Sequence, residues 1–122
     1  MGRYTRHSLT ALQELIKVRG FQVAPAELEG VLCGHPEIVD AAVIGVKFSR
    51  DESELPRGYV VLGPGSRLTE QEIKDYAAQK LARYKHLEGG VRIVDKIPKS
   101  AQHKILKNVL REWASRELGP KL

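Results

Sequence analysis

The run VDAAVIGVKF, residues 39–48, restricts this chain more than any other feature. Its apolar residues are largely β-branched and nearly continuous. A strand wetted on one face alternates polar with apolar residues, whereas a strand covered on both faces reads as an almost unbroken apolar run. The stretch therefore predicts a central strand packed on both sides, and the rest of the chain has to supply both covers. A chain of 122 residues has material for one domain with a real core.

The flanking sequence supplies candidates. ELIKVRGFQV, residues 14–23, sets two short apolar runs on either side of Arg19-Gly20, and Gly20 permits the positive φ of a tight hairpin, so strands are expected at 14–18 and 21–23. Pro25 suits a first helical turn; Leu28, Val31 and Leu32 then share a face up to Gly34. GYVVLG, residues 58–63, reads as a second strand of the sheet, with SRDESELPR, residues 49–57, as the polar loop before it. Thr69 and Glu72 form a capping box ahead of Ile73, Tyr76, Ala77, Lys80 and Leu81 at helical spacing. VRIVDKIP, residues 91–98, is expected as a third strand ended by Pro98. Ile105, Leu106, Val109, Leu110 and Trp113 make a helical stripe over 103–117, with Lys107 and Arg111 on the wet side. The sum is an α+β domain: a small three-stranded sheet, an N-terminal two-stranded hairpin and helices packed around them. Residues 1–11 read as a flexible lead-in or hinge remnant, 12–118 as the domain and 119–122 as a tail.

Charge narrows the function. Residues 1–82 hold 10 Lys/Arg against 11 Asp/Glu, while 83–122 hold 10 against 4, so the last third faces an anion. Aromatics are sparse and do not alternate with basic residues, which argues against a nucleic-acid platform. No apolar run approaches membrane-spanning length, and MGRYTRHSLT lacks a signal-peptide core. The single cysteine, Cys33, has no internal disulfide partner, which fits a reducing compartment; with His35 alone beside it, no metal site is expected. No nucleophile elbow, phosphate-binding loop or dinucleotide fingerprint is present. Taken singly, Lys17 reads as an edge-strand lysine and Lys104 as a surface charge near a helix start, where the dipole slightly disfavours a cation.

Read together, ELIKVRGFQVAPAELEGVL, HPEIVDAAVIGV, LPRGYVVLGPGSRLTEQEI, LARYKHLEGGVRIVDKIPKS and HKILKNVLRE resemble, in order and spacing, the C-terminal small domain of adenylate-forming enzymes, in the acyl-CoA synthetase and 4-coumarate-CoA ligase branch. The resemblance covers residues 12 to about 113. It implies a domain that rotates against a large N-terminal adenylation domain, first to activate an acid with ATP and then to pass the acyl-adenylate to coenzyme A. ATP, AMP and coenzyme A are then bound only together with that partner. Lys104 matches the lysine that meets the carboxylate and phosphate oxygens during adenylation. Lys17 and Gln22 match hairpin residues that contact the adenylate phosphate in the second pose. Arg19 and Gly20 match the turn at the pantetheine arm, and Tyr84 with Lys85 matches a segment near the coenzyme A phosphates.

The departures are specific. TALQ, residues 10–13, stands where the family reads Asp-Arg-x-Lys, so the hinge position is Gln13 and the ribose-contacting Arg is replaced by Ala11. Gln102-His103 replaces the usual Ser-Gly before the lysine, and Gly58 falls where the family prefers Ala. Two readings follow: the mobile domain of an acid-CoA ligase, or a stand-alone domain reused as a small enzyme or accessory binding protein, with His103, Lys104, Lys17 and His86 as acid-base groups. A partner-facing domain exposes apolar surface when alone, which leaves homo-oligomers open. The terminal Pro-Lys-Leu resembles a peroxisomal address, the alternative being the cytoplasm.

Overall fold

The computed structural model describes residues 15–48 and 53–119. The predicted α+β architecture is present: among the described residues there are a two-stranded hairpin, a three-stranded mixed sheet and three α-helices. The hairpin comprises β1 (Ile16–Val18) and β2 (Phe21–Val23), joined through Arg19 at φ 48° and Gly20 at φ 87°. Two consecutive positive φ values are what a two-residue turn between right-twisting strands requires.

The apolar run forms β3 (Ile38–Val46), which pairs antiparallel with β4 (Leu55–Leu62). A short β5 (Val91–Ile93) runs parallel on the far side of β4. Because side chains alternate across a strand, β3 feeds two cores at once. Ala41 and Val43 join Val60 beneath Leu28 and Leu32 of α1 (Pro25–Cys33) and Ile73 and Ala77 of α2 (Glu70–Lys80). Ala42, Ile44 and Val46 join Tyr59, Ile97, and Leu110 and Ala114 of α3 (Lys107–Leu118) on the opposite face. Each fully buried leucine contributes about 2 kcal/mol of transfer free energy. The Thr69–Glu72 capping box is formed: the Glu72 N–H donates to Thr69 Oγ1 at 3.1 Å and the Thr69 N–H donates to Glu72 Oε1 at 2.9 Å. Among the described residues no helix is long and apolar enough to cross a membrane.

Four expectations need correction. The third strand stops at Ile93, because the chain leaves the sheet to send Ile97 into the second core. The last helix begins at Lys107; residues 99–105 form a closed turn bridged at Lys99 and Ile105. Lys107 is not on the wet side. Strand β3 is an edge of the sheet, and its Val43 N–H donates to Glu29 Oε2 at 2.8 Å while Lys107 Nζ donates to the Val43 carbonyl at 2.6 Å and to Glu29 Oε2 at 2.7 Å. An ion pair thus satisfies backbone groups that a neighbouring strand would otherwise take.

The fourth correction concerns Arg57, assigned to a polar loop but buried within β4 at 4% exposure. Its Nε donates to the Tyr59 hydroxyl at 3.1 Å, Nη1 to the Gly89 carbonyl at 2.9 Å and Nη2 to Glu117 Oε1 at 2.6 Å. The Tyr59 hydroxyl donates to the same carboxylate oxygen at 2.9 Å, and Trp113 meets the Tyr59 ring edge-on with centroids 5.8 Å apart. The network fastens α3 to the sheet, and each buried polar atom in it has a partner.

Burial holds the Tyr59 phenol above its ordinary value of 10.0, against the lowering effect of Arg57. A group whose folded pKa is raised stabilises the fold fully below its unfolded pKa and loses that contribution as pH rises through the folded value. Unfolding free energy is therefore expected to fall as pH rises above about 10, and Tyr59→Phe should flatten that decline in denaturant titrations at pH 8 to 11; equal slopes would refute the assignment. Gly58 offers a second test. A Cβ there would meet Leu87 and Leu32 at 3.5 and 3.6 Å, ordinary contact distances. Gly58→Ala is therefore expected to raise stability by about 0.5–1 kcal/mol through the unfolded chain, and a lowered urea midpoint would show that the site is tighter than this geometry.

Candidate functional site

The candidate residues fall into two groups. The first lies on the hairpin and the 3-10 turn Arg83–Lys85 packed against it. Phe21 is half exposed and stacks on Tyr84 with centroids 4.1 Å apart and planes 16° apart. Arg19 Nη2 pairs with Glu88 Oε1 at 3.2 Å, and Lys85 Nζ pairs with Glu27 Oε2 at 2.8 Å, which holds the lysine above its ordinary pKa. Lys17 and Gln22 sit opposite one another in the hairpin register, and both are exposed. The Lys17 N–H donates to Glu54 Oε1 at 3.0 Å, and a shallow groove beside it is lined by Lys17, Gly20, Lys47, Ser53 and Glu54. The structure therefore gathers Lys17, Arg19, Gly20, Gln22, Tyr84 and Lys85 onto adjoining elements. His86 is tied down: its Nε2 lies 3.2 Å from the Leu81 carbonyl.

The second group is the turn that carries Lys104. The Ser100 N–H donates to the Lys104 carbonyl at 2.8 Å, the His103 N–H donates to the Ser100 carbonyl at 2.9 Å, and the Lys104 N–H reaches Ser100 Oγ at 3.3 Å. Ser100 and Lys104 thus close a loop of three residues. Such loops need a left-handed residue in third place. That residue is His103, at φ 64°. The glycine-to-histidine departure therefore leaves the turn closed around a residue that pays a conformational cost. Residues 101–104 are all exposed, and among the described residues Lys104 has no carboxylate partner.

The two groups do not meet. Lys99, at the foot of the Lys104 turn, pairs with Asp40 at 2.7 Å near the start of β3. Glu54, which holds Lys17, lies where a Gly45 Cβ would stand, near the other end of the same strand. Five residues of extended chain separate Asp40 from Gly45, roughly 17 Å. Gln13 and Ala11 lie outside the described residues, as does the end of the tail. Cys33 is exposed, and its thiol is pushed up by partial desolvation and by Asp40 and Glu29, which disfavours the reactive thiolate. No cluster of His, Cys, Asp and Glu able to hold a metal occurs among the described residues. Arg57 was missed as a positioning residue. Through Gly89 it holds the turn that carries Glu88, the partner of Arg19.

A basic turn and a hairpin bearing Lys17 and Arg19, displayed near opposite ends of one doubly covered strand, define a small α+β domain with two separate exposed polar surfaces. The AMP-binding enzyme C-terminal domain matches residues 27–104, and the chain belongs to that family. It is 53% identical to the phenylacetyl-CoA ligase epaB of Aspergillus niger over 87% of this chain and 20% of that protein. It is 55% identical to the acyl-CoA synthetase ACTT5 of Alternaria alternata over 86% of this chain and 18% of that one. Among solved structures, apo MatB from Rhodopseudomonas palustris superposes with a TM-score of 0.78 at 32% identity, covering 88% of this chain and 21% of that one. A Mycobacterium tuberculosis fatty acyl CoA synthetase gives 0.76 at 37% identity, covering 87% and 20%. The chain thus spans about a fifth of the length of the relatives it matches.

His103 gives the stability test of the turn. His103→Gly is expected to raise the unfolding free energy by about 1 kcal/mol, because glycine takes positive φ without a Cβ clash. A lowered midpoint on chemical denaturation would mean that the imidazole makes contacts that outweigh the backbone cost.

Proposed function

We propose that this chain is the mobile C-terminal domain of an acid-CoA ligase, acting with a large ATP-binding domain. The observation that carries the reading is Lys104: a fully presented cation on a hydrogen-bonded turn, with no carboxylate partner among the described residues, in a chain about half identical to acyl-CoA ligases. In the adenylation step a carboxylate oxygen of the acid attacks the α-phosphorus of ATP, and the bond to the β-phosphate breaks with its electrons leaving on pyrophosphate. Negative charge concentrates on the oxygens around that phosphorus. An ammonium held there by a fixed backbone lowers the barrier by stabilising the charge as it develops. In the second step the sulfur of coenzyme A forms the thioester bond and AMP departs. The hairpin face serves this step, with Lys17 and Gln22 toward the adenylate phosphate, Arg19 and Gly20 toward the pantetheine arm, and Tyr84 and Lys85 toward the coenzyme A phosphates. The separation of the two groups along β3 supports a domain that turns to present one and then the other.

The test joins this chain to the large domain of the A. niger phenylacetyl-CoA ligase, in place of that enzyme's own C-terminal fifth. The graft is expected to catalyse phenylacetate-dependent pyrophosphate exchange. Lys104→Ala should slow exchange by about 10²–10³-fold, whereas Lys17→Ala should spare exchange and slow thioester formation. Undiminished exchange by the Lys104→Ala graft would remove the lysine from the reaction. A folded graft without exchange would point to the reused, stand-alone domain.

A further inference from the structure

We propose that His103 is a second substrate-contacting group of the adenylation step, its imidazole donating a hydrogen bond to the same anionic oxygens that Lys104 faces. The inference rests on the proposed ligase function and adds a second donor to it. Its starting point is the backbone. His103 occupies the left-handed place of a three-residue loop, φ 64°, where a glycine would sit without cost. Strain kept at such a position asks for a use of the side chain.

Three further observations give that use a direction. His103 is exposed, and no side-chain hydrogen bond or ring contact of its imidazole occurs among the described residues, so the ring has no evident structural task. It directly precedes Lys104, with Cα atoms about 3.8 Å apart, so both side chains project from the same exposed, hydrogen-bonded turn. The charged groups around the turn leave both residues open to an external anion. Lys99 is taken by Asp40 and Lys107 by Glu29, and no carboxylate pairs with Lys104 among the described residues. The imidazole carries at least one N–H donor that can point at an oxygen of such an anion. No proton is consumed or released in the step: His103 stabilises the charge on the phosphate oxygens while the new P–O bond forms and the bond to pyrophosphate breaks.

The experiment uses the grafted ligase and its His103→Gly and His103→Asn forms, both of which tolerate positive φ. Each is followed by pyrophosphate exchange with phenylacetate, with thermal unfolding confirming the fold. Removing the donor in His103→Gly should slow exchange about 10-fold or more even though the fold is stabilised. His103→Asn keeps a side-chain N–H donor at the same backbone conformation, so it should recover most of the rate that His103→Gly loses. A His103→Gly graft as fast as the parent, or a His103→Asn graft as slow as His103→Gly, would overturn the proposal while leaving the ligase reading intact. A parent graft with no exchange would overturn both.

Discussion

Strand β3 is the constraint on which the rest depends, because it is buried on both faces yet stands at the edge of its sheet. Burial on two faces recruits α1 and α2 on one side and α3 on the other, which fixes the three layers. The edge position creates a separate problem, since the free N–H and C=O of Val43 have no strand to pair with. Glu29 from α1 and Lys107 from α3 solve it together. Because the two helices lie on opposite faces, the ion pair also locks the outer layers to each other around the edge. A water-filled edge would satisfy the same atoms but would leave the helices independent.

The Arg57 network does comparable work at the other end of α3. Glu117 sits in the last turn of that helix, and the guanidinium that meets it reaches on to the Gly89 carbonyl. The turn held there carries Glu88, and Glu88 holds Arg19 at the hairpin tip. A continuous set of polar contacts therefore runs from the helix following the Lys104 turn to the hairpin face. The ends of α3 are each pinned to the sheet by a partly or fully buried cation.

Much of this was legible in the sequence, for local reasons. An apolar run without alternation, a glycine second in a hairpin turn and a Thr–Glu capping box are each encoded within a few residues, and each appears where expected. What escaped was set by partners distant in the chain. Arg57 looks like part of a charged loop because its acceptors lie 32 and 60 residues away. Lys107 looks solvent-facing because its carboxylate partner is 78 residues upstream. The Lys104 turn reads as the start of the following helix because Ile105 and Leu106 fit the helical stripe. Yet Ile105 packs into the second core from a bridge residue ahead of the helix. The signal that could have separated them was the departure at His103, since a position where glycine is normal is one where helix geometry is not.

The arrangement of the Lys104 turn bears on how a ligase of the proposed kind would control its chemistry. A lysine within a helix would sweep only the arc its rotamers allow, and a lysine on an open loop would lose entropy on meeting each substrate. A loop closed by hydrogen bonds at 2.8 and 2.9 Å fixes the backbone and leaves only the side chain to be ordered. Preorganisation of that kind is what makes a single cation effective against charge that appears only in the transition state. With the backbone fixed by the loop, histidine in the left-handed place leaves the lysine anchored and changes only what stands beside it.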